Sequence, residues 1–246
     1  MSLEFLSADL VRPHDGSSPV FRSPISPLLH DAGATFVERA GWEVAASVGS
    51  PAAEQAACRQ AVGVADQSWR GKIELQSAPE SVAAIAARLA GGPLHLTRAS
   101  NHDDVWWCLL SPTRALAVTY PERTPEVRAR LEEAAADSDV AASVADVTTS
   151  LCSNAVVGPL ARETFARVSA LDLRERELGP GGLAAGSVAR VPGIVLRERA
   201  DTYLHLFGAA HAEYIWTVFL DAAESLGGRA VGIDALAAGG PGEARG

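Results

Sequence analysis

The chain has 246 residues, of which 48% are hydrophobic and 21% charged, as in a globular protein with one large core or two small ones. Its formal net charge of −9 disfavours non-specific attraction to nucleic acid and to anionic membranes. Three irregularly spaced cysteines, without a Cys-x-x-Cys motif or paired histidines, predict reduced thiols in the cytoplasm and no metal. We expect no membrane span, because no apolar run approaches roughly 20 residues, and no signal peptide.

The two ends of the chain differ in composition from the middle. Residues 1–28 are rich in proline and serine and show no regular period, so they predict an extended N-terminal arm. Residues 237–246 are dominated by glycine and alanine and predict a flexible tail.

Between these ends, the first half alternates between strand and helix patterns. Strands are predicted over Trp42–Val48, Ile73–Leu75, Leu94–Thr97, Val105–Leu110, Ala115–Thr119 and Val144–Thr149. Helices are predicted over 50–61, 79–90 and 124–136. Each helix begins at a proline or just before one, which is typical of a first helical turn.

The second half repeats this alternation. Strands are predicted over Ala155–Val157, Val188–Val191, Ile194–Leu196, Tyr203–Phe207 and Ala230–Ile233, and helices over 158–171 and 209–226. Each half approximates the order strand–helix–strand–strand–helix–strand of a split βαβ unit. The predicted fold class is therefore α+β, with two tandem ferredoxin-like units over 29–150 and 151–236.

Three segments carry a family resemblance. The first runs from Gly41-Trp42 through Asp66-Gln67-Ser68-Trp69, the second contains Asp103-Asp104, and the third ends at Gly158-Pro159-Leu160-Ala161. In order and spacing, over residues 36–236, they resemble the folate-binding domain of glycine-cleavage T-proteins, the aminomethyltransferases of one-carbon metabolism. The second and third segments are also similar to the γ subunit of heterotetrameric sarcosine oxidase.

The resemblance implies a folate-binding domain without the C-terminal barrel domain of T-proteins, with tetrahydrofolate as the cofactor. It implies that Asp103, with Asp104 beside it, is the acidic residue that orients the folate or the substrate amine. A carboxylate stabilises a developing cationic amine in a partly dry pocket. The alternative is that Asn101 to Asp104 is only a polar turn before a strand.

Four further residues are candidates for cofactor binding. Trp69 and Trp106 could stack on a flat ring, although strand tryptophans usually pack in a core or an interface. Glu198 is the carboxylate nearest to the position of the family's pterin-holding glutamate. Tyr203 begins a stretch that resembles the family's Tyr-Glu-Ile strand.

Two functions remain open from the sequence. The first is tetrahydrofolate-dependent transfer of an aminomethyl, methylene or methyl group from an amine or a methylated substrate. The second is a non-catalytic, γ-subunit-like module that supports a sarcosine-oxidase-type or methyltransferase complex. The expected partners are a small folate or amine and a further protein subunit, with no nucleic acid and no membrane.

Overall fold

The computed structural model describes residues 20–238, so most of the predicted arm and tail lie outside the described residues. The strands are β1 Thr35–Arg39, β2 Trp42–Ser47, β3 Gly63–Asp66, β4 Gly71–Ser77, β5 Ser100–His102, β6 Val105–Ser111, β7 Arg114–Thr119, β8 Ala142–Asp146, β9 Leu151–Val157, β10 Leu183–Val188, β11 Val191–Arg199, β12 Thr202–Gly208 and β13 Arg229–Ala230. The α-helices are α1 Ser26–Asp31, α2 Pro51–Gln60, α3 Ser81–Ala87, α4 Thr124–Ala136, α5 Ala161–Val168, α6 Ala212–Glu224 and α7 Ile233–Ala238.

One sheet has five antiparallel strands in the order β5-β6-β7-β4-β8. Side chains alternate between the two faces of a strand, so Ile73 and Leu75 of β4 point to one face. There they pack with Ile85 of α3 and with Val127 and Leu131 of α4. The apolar stripe of each helix therefore covers one face of this sheet.

The second sheet has six strands in the order β10-β11-β12-β9-β3-β13. Strand β3 comes from the first half of the chain, yet it lies between β9 and β13 of the second half. Phe165 of α5 and Phe219 of α6 pack on this sheet against Val156 and Tyr203. Because β3 crosses into this sheet, the predicted division at residue 150 does not separate the strands of the two sheets.

The two sheets pack face to face through a buried apolar layer. The five-stranded sheet contributes Cys108, Leu116 and Val118, and the six-stranded sheet contributes Leu196, Leu204 and Leu206. With helices on both outer faces, the described chain forms four layers in the order helices, sheet, sheet, helices.

Three predicted strands differ from the structure. Residues 94–97 form turns and isolated bridges because their backbone pairs with single residues rather than along a strand. Residues 188–191 are two strand ends joined by Ala189 and Arg190, whose positive φ angles of 49° and 64° make a tight turn. Ile233 begins α7 instead of ending a strand.

The described end of the predicted arm belongs to the body of the protein. Phe21 forms a parallel bridge with Trp42, and α1 begins at Ser26. Ile25 and Leu29 are each 2% exposed and pack in the core under α6. The prediction of an extended arm is therefore wrong from Ser26 onward, because these apolar residues anchor a short helix.

Candidate functional site

The connection between β3 and β4 passes from one sheet to the other, and we call residues 66–72 the central segment. The Asp66 carboxylate accepts a hydrogen bond from the Ser68 backbone N–H at 2.8 Å, which forms a tight turn. A β-carbon at Gly71 would lie 1.9 Å from Thr124 Oγ1, so only glycine allows this approach to α4.

Lys72, the only lysine in the chain, holds the central segment from within. Its side chain is fully buried, and Nζ donates hydrogen bonds to the backbone oxygens of Ser68 at 3.0 Å and Arg70 at 2.8 Å. Burial, followed by the nearby positive charge of Arg70, lowers the pKa of Lys72 to about 7. Lys72 therefore fixes the turn rather than facing a ligand.

Arg70 and Glu198 form an ion pair at the edge of the layer between the sheets. Arg70 Nη1 lies 2.7 Å from Glu198 Oε1, and the two side chains are 7% and 15% exposed. The Arg70 guanidinium also lies 5.7 Å from the centre of the Tyr120 ring. The negative charge of the Glu198 carboxylate is therefore already paired with the positive charge of Arg70.

Trp69 and Tyr120 form a stacked pair beside this ion pair. Their ring centres are 6.3 Å apart, and the Trp69 indole N–H donates to the Asp66 backbone oxygen at 3.1 Å. The Arg39 guanidinium lies 4.9 Å from the Trp69 ring centre and 5.0 Å from that of Tyr120. We call Arg39, Trp69, Arg70, Tyr120 and Glu198 the aromatic–arginine cluster. Its exposed member is Tyr120, at 42%.

Asp103 and Asp104 are the two central residues of the hairpin turn between β5 and β6. Their φ angles of 57° and 56° are those of a type I′ turn, which aspartate tolerates. The Asp103 carboxylate is 60% exposed and lies 3.1 Å from Arg123 and 3.7 Å from Arg130. A cavity of about 10 Å³ beside Asp103 has room for one water molecule. The geometry of this pair is that of a polar turn.

Trp106 and Tyr203 lie on different faces, Trp106 at the layer between the sheets and Tyr203 under the helices. Trp106 is partly buried against the layer between the sheets. Tyr203 is 2% exposed on the helix-covered face of the six-stranded sheet, 5.6 Å from Phe165 between ring centres. Burial raises the pKa of its phenol. Of the six predicted site residues, Trp69 and Glu198 are joined through Arg70, and Asp103 and Asp104 share one turn.

Sequence reasoning missed Arg39, Arg70 and Tyr120. These residues come from β1, the central segment and the end of β7, and no local spacing indicates that they meet. One available signal was Tyr120, an aromatic residue placed between the end of an apolar strand and Pro121.

The contacts of Trp69 and Glu198 bear on the predicted pterin site. A pterin needs a carboxylate or amide for its edge and an open slot for its ring, because an unpaired buried polar group costs about 1–3 kcal/mol. Here Glu198 is paired with Arg70, and Arg39 covers the Trp69–Tyr120 pair. A larger cavity of about 210 Å³ lies between α1 and α6, but its lining is mostly apolar and contains none of the predicted residues.

Two further properties concern residues 20–238 only. No group of three or more His, Cys, Asp and Glu side chains there is placed to hold a metal ion. Among the helices of this range, none has both the length and the apolar character needed to cross a membrane.

Comparison with known proteins assigns this two-sheet α+β domain to the T-protein type. The family model described as the GCVT N-terminal domain matches residues 25–238, so the chain belongs to that family. An aminomethyltransferase of Saccharopolyspora erythraea is 28% identical over 224 residues, which cover 86% of this chain and 60% of that relative. The chain thus spans well under two thirds of the curated relative.

Two solved structures are similar to the chain in fold. A chain of heterotetrameric sarcosine oxidase from Corynebacterium sp. U-96 has a TM-score of 0.62 and 21% identity, covering 72% of this chain and 92% of that chain. Glycine cleavage system aminomethyltransferase T from Bartonella henselae has a TM-score of 0.72 and 19% identity, covering 88% of this chain and 60% of that chain. At these identities the likeness concerns the fold alone.

Proposed function

We propose that the chain is a T-protein-like module that supports one-carbon chemistry within a larger assembly, rather than a complete aminomethyltransferase by itself. The observation that carries this proposal is that the two candidate carboxylates, Glu198 and Asp103, are already paired with arginines. Glu198 is bound to Arg70, and Asp103 lies on an exposed turn between two arginines. The cavity beside Asp103 measures about 10 Å³, which is too small for a folate or a substrate amine.

The proposed assembly follows from coverage as well as geometry. The chain covers 92% of a chain of heterotetrameric sarcosine oxidase but 60% of the aminomethyltransferases. In the proposed assembly, a partner subunit closes a site at the surface of this chain. A cytoplasmic location is part of the same proposal, because Cys58, Cys108 and Cys152 are free and buried.

The fold proposal is that each sheet is a ferredoxin-like unit. In the five-stranded sheet, β4, α3, β6, β7, α4 and β8 follow the split βαβ order, with β5 added at one edge. In the six-stranded sheet, β9, α5, β11, β12, α6 and β13 follow the same order, with β10 added and β3 inserted. Tandem duplication with an inserted strand accounts for both arrangements.

A second candidate function is tetrahydrofolate binding on the aromatic–arginine cluster. One observation favours it: Tyr120 is exposed and stacks with Trp69, and two guanidinium groups lie over its ring. A flat ring can stack on such a surface, and arginine can pair with a carboxylate of the ligand. Binding here requires Arg39 to leave the ring faces.

Calorimetric titration of the purified chain with tetrahydrofolate separates these proposals. We expect no binding heat up to about 1 mM ligand, which corresponds to less than about 4 kcal/mol of affinity. Tight binding abolished by Asp103→Asn would contradict the module proposal and support the aminomethyltransferase. Asparagine is chosen because it keeps the size and the tolerance of positive φ while removing the charge.

Two matched tyrosine variants test the second candidate. Binding lost in Tyr120→Ala but kept in Tyr214→Ala would assign the folate to the aromatic–arginine cluster, because Tyr214 is also exposed, on α6. For the module proposal, the tagged chain purified gently from its own cells should elute with a partner well above its own 25.6 kDa. Elution as a monomer would count against it.

A further inference from the structure

A row of three polar side chains crosses the six-stranded sheet on its helix-covered face. Asp66 on β3 is the register partner of Asn154 on β9, and Asn154 is the register partner of His205 on β12. Val156 and Tyr203, two residues along the same strands, pack in the core under α5 and α6. Because side chains two apart share a face, the polar row lies on that face too.

Asn154 and His205 are buried without partners. They are 1% and 0% exposed, and neither the two amide atoms nor the two ring nitrogens have a hydrogen-bond partner among residues 20–238. The rings of Phe207, Phe219 and Phe165 surround the imidazole at 4.9, 5.2 and 6.0 Å between centres. Buried polar groups normally have partners, so these four atoms need an explanation.

The orientation of His205 shows where its partner must lie. A β-carbon on Gly193 of β11 would lie 2.5 Å from Nε2 and 3.2 Å from Cδ2, so this edge of the imidazole faces β11. Nδ1 is on the opposite side of the ring from Cδ2, away from β11, and β9 with Asn154 flanks β12 on that side. Polar groups that face each other beyond direct bonding distance are typically bridged by water.

We propose that Asn154 and His205 hold an internal water molecule between the side-chain amide and Nδ1. Buried waters make about three hydrogen bonds to polar groups that otherwise lack partners. The amide supplies both a donor and an acceptor, and the neutral imidazole supplies whichever its tautomer allows. Burial lowers the pKa of His205 to about 3, so the imidazole is neutral near pH 7.

The water site is connected to the central segment by the rest of the row. Asp66 is the neighbour of Asn154 across β3 and β9, and its carboxylate holds the turn at Ser68. The water therefore completes a polar line from the central segment to the core beneath α5 and α6. This role is independent of whether the chain binds folate.

A crystal structure at a resolution that shows ordered water tests the proposal directly. We expect one water within hydrogen-bonding distance of the Asn154 amide and of His205 Nδ1. A direct bond between the two side chains, or a dry gap between them, would overturn it.

A double-variant experiment tests the shared water in solution. Asn154→Val and His205→Leu should each lower the melting temperature by about 3–10 °C, because each strands the other side chain. The double variant should lose less than the sum, because both ends of the bridge leave together. Additive losses would overturn the proposal.

Thr119 provides the control for this experiment. Its hydroxyl is also buried and without a partner among the described residues, but it lies in the five-stranded sheet. The pair Thr119→Val and His205→Leu should therefore be additive. Equal non-additivity in both pairs would trace the effect to general destabilisation and overturn the shared water.

Discussion

At the residue scale, Lys72 links the charge state of one amine to the shape of the central segment. Its Nζ is enclosed between the two sheets and bonded to two backbone oxygens. Desolvation disfavours its charged form, which is why its pKa falls to about 7 from 10.5. A group whose pKa is lower in the folded state releases protons on folding.

This linkage predicts the pH dependence that Lys72 contributes. Between about pH 7 and 10.5 the unfolded chain binds more protons at this position, so the free energy of unfolding should rise with pH through that window. Lys72→Met should lack this part of the rise. The measurement is urea unfolding of both proteins at pH 7 and pH 8.5, with Arg128→Met on exposed α4 as the control. Parallel slopes for wild type and Lys72→Met would contradict the assignment.

The hairpin turn at Asp103 and Asp104 supports a second prediction at this scale. Glycine is preferred at the second central position of a type I′ turn because it has no β-carbon to oppose a positive φ. Asp104→Gly should therefore raise the free energy of unfolding by up to about 1 kcal/mol. Urea unfolding measures the change. A loss of stability would mean that the Asp104 side chain makes a contact the turn needs.

At the element scale, Glu54 joins its own helix α2 to the preceding strand β2 and to Gly232, which is 178 residues away in sequence. Its carboxylate is fully buried and accepts hydrogen bonds from the Ser47 hydroxyl at 2.5 Å, from Val48 N–H at 2.9 Å and from Gly232 N–H at 2.8 Å. It thereby fixes α2 to the end of β2 and to the approach to α7. Gly232 is required beside it, since a β-carbon there would lie 2.0 Å from the Ala46 oxygen.

Exchange of this carboxylate for an amide should be costly. In Glu54→Gln an NH2 group replaces one of the two carboxylate oxygens, so at least one of the three donors loses its acceptor. We therefore expect a loss of about 1–3 kcal/mol of unfolding free energy. Glu126→Gln on the exposed face of α4 is the matched control and should change stability much less than Glu54→Gln does. Equal effects in denaturant titrations would show that the buried contacts of Glu54 contribute little.

The sequence predicted elements where the periodic pattern was long, and failed where it was short. Helix α4 matches its predicted bounds of 124–136, because a proline in the first turn and an apolar period over several turns both indicate it. Strand β3 was missed, since four residues are too few to show an alternation. The site was predicted least well: Trp69 and Glu198 were singled out, but their meeting through Arg70 depends on how the two sheets pack.

At the scale of the whole molecule, β3 couples the two halves of the chain. Gly63 of β3 pairs with Val157 of β9 on one side and with Arg229 of β13 on the other. Neither the six-stranded sheet nor its core is complete without residues from the first half. Separate melting of two independent domains is therefore not expected.

This coupling predicts one cooperative unfolding transition for the whole chain. Tryptophan fluorescence and far-ultraviolet circular dichroism should give the same midpoint in urea, because Trp69 and Trp107 report on the first half and Trp216 on the second. Two resolved transitions would show that the sheets are stable separately.

The position of β3 also has a consequence for synthesis. When residues 63–66 leave the ribosome, the strand that will flank them on one side lies about 90 residues ahead. The partner on the other side, at 229–230, is among the last described residues to emerge. During synthesis, β3 therefore has neither of its two neighbouring strands available until most of the chain has been made. The six-stranded sheet is complete only when residues 229–230 have been made and have paired with β3. Translation rate and chaperone access should therefore govern the yield of folded protein more than its final stability does.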